Sequence, residues 1–177
     1  MKNFATFIVL AIVAAFLPTS ASAQRAFEEV ANKAGVTSVY MGPAILHAAG
    51  ENVLGIYGLY SDWATKVSSI EVIEFDGDDD DDDEKGKPDY KGVSQQISGI
   101  IRNMNTETLL ESRDGKELSR ISVILSKDSQ KTATGVIILQ QDGDLKEIKV
   151  VMIEGEIDLA KLVKYYSNQV VAPSVNL

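Results

Sequence analysis

Cysteine is absent from this chain of 177 residues. That excludes disulfides, thiolate metal sites and cysteine nucleophiles. It also excludes a lipoprotein, whose lipid hangs on a cysteine at the cleavage point. Histidine is nearly absent, His47 being the single one. A Ser-His-Asp device or a histidine-based metal site would have to use it, with no second histidine or thiolate to complete the set. Between Leu46 and Ala48 it reads as an ordinary surface or half-buried side chain. No G-x-S-x-G, H-E-x-x-H or phosphate loop occurs. Bases number 17 against 26 acids. No basic patch exists to neutralise phosphates, so nucleic acid is not an expected partner. Carboxylates are plentiful, but Glu28, Glu71, Glu107, Glu111 and Glu156 fall where solvent faces are expected, and nothing singles out a glycosidase pair. The expectation is a non-enzymatic protein without a cofactor, a hydrolase lacking any recognisable motif being a further alternative.

The one long hydrophobic run lies at the start. Lys2 supplies a basic n-region, Phe4 to Leu17 an apolar stretch, and Pro18 to Ser20 a helix-breaking polar step. Ala21-Ser22-Ala23 then offers the small-x-small site read by a signal peptidase, so residues 1–23 read as a signal peptide and the mature chain should begin at Gln24. The fourteen residues from Phe4 to Leu17 make only about 21 Å of helix, short of a ~30 Å hydrocarbon core. No membrane span is expected after cleavage. A plain cleavage site without a lipid cysteine implies a periplasmic or secreted protein. The 154 residues left when 23 are removed from 177 suit one domain, expected over 24–168, with a loose tail at 169–177.

Charge is unevenly spread. Asp76, the run Asp78, Asp79, Asp80, Asp81, Asp82 and Asp83, and Glu84 hold eight of the 26 acids. The rest of the mature chain carries 18 acids against 16 bases, which is close to neutral. The tract sits in an expected flexible loop over 76–88. It is not an EF-hand, because no register puts glycine at the sixth position with glutamate at the twelfth. Neighbouring carboxylates ~6 Å apart repel by about 0.7 kcal/mol per pair in water, which extends the loop. These eight acids are the candidate metal ligands, for Ca²⁺ held with Kd on the order of 10⁻³ M at best.

Periodicity places the elements. Phe27, Val30, Ala31 and Ala34 are spaced for a helix ending at Gly35. Val36 to Met41 reads as a strand, and Pro43 opens a helix over Ala44 to Ala49. Ile56, Leu59, Tyr60, Trp63 and Val67 form an apolar stripe on a further helical piece, followed by a short β run from Ile70 to Phe75. Val93, Ile97, Ile100, Ile101 and Met104 mark a helix from about Tyr90 to Met104. The period then changes to two. Thr106 to Arg113 and Leu118 to Ser126 flank Asp114-Gly115, and Thr132 to Gln141 and Leu145 to Glu154 flank Asp142-Gly143. Asp-Gly between β runs predicts hairpins with both central residues at positive φ, hence a four-stranded meander. Asp158 can cap a last helix with Leu159, Leu162, Val163 and Tyr166 on its apolar face. The fold expected is α+β: an antiparallel sheet of hairpin-connected strands with helices packed on one face.

Gly35-Val36-Thr37-Ser38-Val39-Tyr40-Met41, followed by Pro43-Ala44-Ile45-Leu46, resembles the opening of the exported family known as domain of unknown function 4252. The resemblance covers about Phe27 to Tyr166. It implies a small exported Bacteroidetes protein of the envelope, with a hairpin-rich second half and no known activity. It brings no catalytic residue with it, and the aspartate run is not part of the pattern.

Together these readings point to an envelope protein that binds another protein or a small ligand, an envelope protein being the candidate partner. Weak divalent-cation binding through the acidic loop is the alternative. Tyr57, off the Ile56 stripe, and Tyr165, beside the last helix's apolar face, are the candidate partner contacts, since tyrosine is favoured at interface hot spots.

Overall fold

The computed structural model describes residues 25–49, 64–77, 90–127 and 131–170. Chain order among them is α1 (Glu28–Ala31), β1 (Val36–Met41), α2 (Pro43–Ala49), β2 (Ala64–Phe75), α3 (Tyr90–Asn103), β3 (Glu107–Asp114), β4 (Glu117–Leu125), β5 (Thr132–Asp142), β6 (Glu147–Asp158) and α4 (Leu159–Val170). The strands form one six-stranded sheet in the order β1-β2-β6-β5-β4-β3, with every neighbouring pair antiparallel. The predicted meander is β3 to β6. Its last strand closes against β2, so the first two strands and the last four share one sheet.

Helices cover both faces, which corrects the expectation of one. Neighbouring residues on a strand point to opposite faces, and here they enter different cores. Val72 packs with Ile70, Val151, Ile153 and Leu162 of α4, with Ile45 and Leu46 of α2 against them. Ile73 packs with Phe75, Val150 and Leu139, under Val93, Ile97 and Ile101 of α3 and Phe27 and Val30 at α1. The cause is in the central strands. Val136-Ile137-Ile138-Leu139 and Val150-Val151-Met152-Ile153 are apolar at both phases, and a strand apolar on both sides needs cover on both.

Two strands run further than their sequence suggested. β2 starts at Ala64, so Val67 lies on a strand and not on the predicted helical stripe. β6 continues past Glu154 to Asp158. Gly155 explains both. It reads as a terminator but sits at a bulge opposite Val67, where the register of β2 slips. Its φ is 153°, and a Cβ there would lie 2.2 Å from the Lys66 carbonyl oxygen. Only glycine lets the two backbones approach so closely. Residues 56–63 of the expected helix lie outside the described residues.

Both hairpins form where predicted, through different turn chemistry. Asp114 ends β3 opposite Glu117, so the first turn is Gly115-Lys116. Gly115 alone of the pair has positive φ, 56°, as in a Gly-X turn. In the second, Asp142 ends β5 opposite Glu147. Its carboxylate accepts the N–H groups of Asp144 at 2.8 Å and Leu145 at 3.0 Å. That side-chain closure makes a four-residue loop, whose left-handed position is Lys146 (φ 56°) rather than Gly143.

α4 begins without a loop: Asp158 ends β6 and its Oδ1 accepts the Lys161 N–H at 3.1 Å. That is the predicted cap. The helix's buried face is rolled from the predicted one. Leu162 is fully buried, and Leu159, Tyr165 and Tyr166 pack against the core. Val163 is 52% exposed. The Tyr165 ring covers more sheet than a valine could.

Candidate functional site

Two polar places interrupt this otherwise apolar sandwich, on opposite faces and at opposite ends. The larger is on the α2/α4 face, at the end of the sheet that carries the two hairpin turns. One register row there reads Thr37, Glu74, Lys149, Gln140, Ser119 and Ser112, a polar residue from each of the six strands. Two residues along, the same face reads Val39, Val72, Val151, Ile138, Ile121 and Leu110, apolar on every strand. In the other direction it reads Asp114, Glu117, Asp142 and Glu147, with Asp76 at the end of β2 beside them. Rows on one face are ~7 Å apart and strands ~4.8 Å, so the polar row spans about 24 Å.

This end forms an open trough of about 1040 Å³. Its lining carries the carboxylates Glu74, Asp76, Asp114, Glu117, Asp142 and Glu147 against the single amine of Lys149. Lys149 is committed to Glu74 at 2.7 Å across the β2/β6 pair. Ser112, Ser119 and Gln140 stand among these charges as neutral donors and acceptors. Such a surface suits a broad polar partner bearing positive charge. Neither a histidine nor a cysteine is among its lining residues.

The smaller place is on the α1/α3 face at the far end. Glu71 points inward there and is 4% exposed, contrary to the solvent position expected for it. Its Oε2 accepts the Phe27 backbone N–H at 3.4 Å, while its Oε1 is buried without a hydrogen-bond partner among the described residues. A cavity of about 20 Å³ adjoins it, lined by Arg25, Ala26, Tyr40, Ser69, Glu71, Met152 and Glu154. That is room for one water or one small group. Burial pushes the Glu71 carboxyl above the ordinary carboxylate range. The backbone N–H groups of Phe27 and Ala26 and the charge of Arg25 pull the other way, and Glu154 adds to the rise. The Ser69 hydroxyl donates to Glu154, and the Arg25 guanidinium lies 4.8 Å over the Tyr40 ring.

A sequence signal for Glu71 exists in its spacing. Glu71 and Glu74 are three apart on one strand, so they must face opposite sides. When both sides are covered, one of the two enters the interior unless it reaches an open end. Glu74 has the open end and Glu71 does not.

Of the acids in the tract singled out in sequence, Asp76 is described and is among the residues lining the trough. Asp78, Asp79, Asp80, Asp81, Asp82, Asp83 and Glu84 fall outside the described residues, as does Tyr57. Tyr165 is half-buried, edge-on to Tyr166 with ring centroids 5.0 Å apart. Burial pushes the neighbouring Tyr166 hydroxyl up to about 12. His47 is exposed on α2, away from both polar places. Groups of three or more His, Cys, Asp or Glu arranged to hold a metal ion do not occur among the described residues.

A family model described as Domain of unknown function (DUF4252) matches residues 27–165. No curated protein and no solved structure matches the chain.

Proposed function

The chain belongs to the DUF4252 family, and from that premise we propose that it is an exported, non-enzymatic binding module. It receives a protein of the cell envelope on the open polar end of its sheet. One observation carries this reading: six strands present an unbroken polar row, next to an apolar row that the helices cover. A face meant only for solvent needs no such breadth, and a face meant for the core would not be polar. Its acidity selects a partner with a basic patch, through attraction that weakens as salt rises. The signal peptide read at residues 1–23 supports delivery to the envelope. Among the described residues no helix is long and apolar enough to cross a membrane.

The test is affinity capture from the envelope fraction, with and without Ca²⁺, using the mature chain and a Glu117→Lys/Glu147→Lys variant side by side. Both side chains are exposed, so the variant should fold normally. A protein retained by the wild type and lost with the variant, or released by moderate salt, is the expected result. Identical recovery by both chains, or none by either, sinks the proposal.

A second reading draws on where Asp76 lies. Asp76, two residues before the acidic run, lines a trough that is already rich in carboxylates, which would raise the local cation concentration. Weak Ca²⁺ binding there should appear as a saturable heat by calorimetry at millimolar metal. Replacing Asp78 to Asp83 by Gly/Ser should abolish it; no heat with the wild type ends this reading.

A further inference from the structure

Glu71 is a buried carboxylate with one oxygen satisfied and the other without a partner among the described residues. Leaving a buried polar atom unpaired is costly, and its surroundings indicate the kind of partner it suits. Register supplies the geometry. On the β2/β6 pair Glu71 stands opposite Met152 and Ser69 opposite Glu154, all four on the α1/α3 face. Glu71 and Glu154 are therefore diagonal neighbours, ~7–8 Å apart at the backbone, and their side chains can reach a common point. Both line the cavity of about 20 Å³. One water-sized species needs ~10–15 Å³, so a single small ion fits.

The chemistry of the lining is that of hard oxygen. Glu154 accepts the Ser69 hydroxyl, which leaves the serine oxygen its lone pairs. Ser69 is itself buried, 5% exposed. Neither imidazole nor thiolate lines the cavity, so a cation bound there is one that takes oxygen ligands. Against the two carboxylates stands one guanidinium, that of Arg25 over the Tyr40 ring. The balance is one negative charge, which a monovalent cation neutralises and a divalent one overshoots. Carboxylates pull hardest on a small ion, which favours sodium over potassium. Glu154 is exposed, so the ion has a way in and water can complete its shell. We propose that Glu71 and Glu154, with the Ser69 hydroxyl oxygen, bind one sodium ion in this cavity. The ion ties β2 to β6 on the face opposite the trough, and this site is independent of partner binding there.

The experiment titrates the protein with NaCl at neutral pH and follows sodium NMR linewidths, which should show saturable binding at millimolar sodium. Melting temperature should be about 3 °C or more higher in NaCl than in tetramethylammonium chloride of equal ionic strength, once sodium exceeds its Kd about tenfold. Glu71→Gln keeps the shape of the side chain and removes its charge. It should abolish both the saturable linewidth change and the difference between the salts. Arg25→Gln, at an exposed position, removes the competing positive charge and should tighten sodium about threefold or more. This arm and the salt comparison leave the buried residue untouched. Equal melting temperatures in the two salts, with no saturable linewidth change, leave the cavity to a water and overturn the proposal. A sodium effect that survives Glu71→Gln places the ion elsewhere and overturns it as well. Weaker sodium binding in Arg25→Gln would make the guanidinium the partner of Glu71, which also sinks it.

Discussion

The two faces of the sheet are built by the same six strands and end up with different tasks. Toward α1 and α3, Ile73, Phe75, Val150, Leu139 and Ile148 are sealed beneath two helices, and the ionisable Glu71 is tucked inward among them. Toward α2 and α4, burial stops part of the way along. Val72, Ile70, Val151 and Ile153 are covered, and the next row, from Thr37 to Ser112, is polar from edge to edge. The difference teaches that cover, not strand chemistry alone, decides what a sheet face can do. A sealed face can hold one ionisable group under tension. A face sealed over part of its length leaves the remainder free for contact.

The largest expected effect strikes both faces together. Gly155→Ala forces a methyl to 2.2 Å from the Lys66 carbonyl, at a bulge where β2 and β6 meet. It should cost at least ~3 kcal/mol or prevent folding, read by denaturant unfolding; a loss under ~1 kcal/mol would mean that the bulge is not required. Next, Ile70→Ala and Ile73→Ala sound the covered part of each face. Both side chains are fully buried, so each should lose about 2–5 kcal/mol. If Ile70→Ala costs less than half of Ile73→Ala, the α2/α4 face is not sealed over its apolar part.

A third test uses pH. Burial raises the Glu71 carboxyl above its unfolded value, so the folded chain holds this proton more tightly than the unfolded one. Its contribution is fully present below the unfolded value, and stability falls as pH rises through the folded value. Melting temperature should therefore drop across that window, and Glu71→Gln should flatten the drop. A wild-type profile parallel to that of Glu71→Gln would show that the carboxyl is not perturbed. The smallest effect belongs to the open end: Glu117→Lys/Glu147→Lys should change stability by no more than about 0.5 kcal/mol per site. A larger loss would make that surface structural and blur the contrast between the faces.

How much of this was legible depended on the range of the signal. β1, the helix at Pro43 and the helix from Tyr90 are local patterns, and they stand within a residue or two of where spacing puts them. The hairpins were legible as positions, because Asp-Gly marks a reversal. Their turn types were not, because Asp142 closes its loop through its own carboxylate. Gly155 misled in the other direction: a glycine after an apolar run resembles a stop until a partner strand is known to need the space. Val67 fitted a helical stripe as well as a strand, since one residue satisfies either period. The trough was hidden because its row draws one residue from each strand, and register belongs to pairing rather than to any one segment. Glu71 was hidden until both faces were known to be covered, although its spacing from Glu74 already separated the two.

The strand order also sets a schedule. β2 is apolar on both sides, yet its neighbours are β1, which precedes it, and β6, which begins at Glu147. A chain that emerges from its N-terminus during synthesis delivers β2 long before its principal partner. Until residues 147–158 arrive, the strand that joins the two halves of the sheet has one side unpaired. Non-local pairing of this kind delays folding, because the loop between the two strands must be closed before their contacts form. The late position of β6 acts as a timer: the sheet stays open until nearly all of the chain is present, and only then can it close.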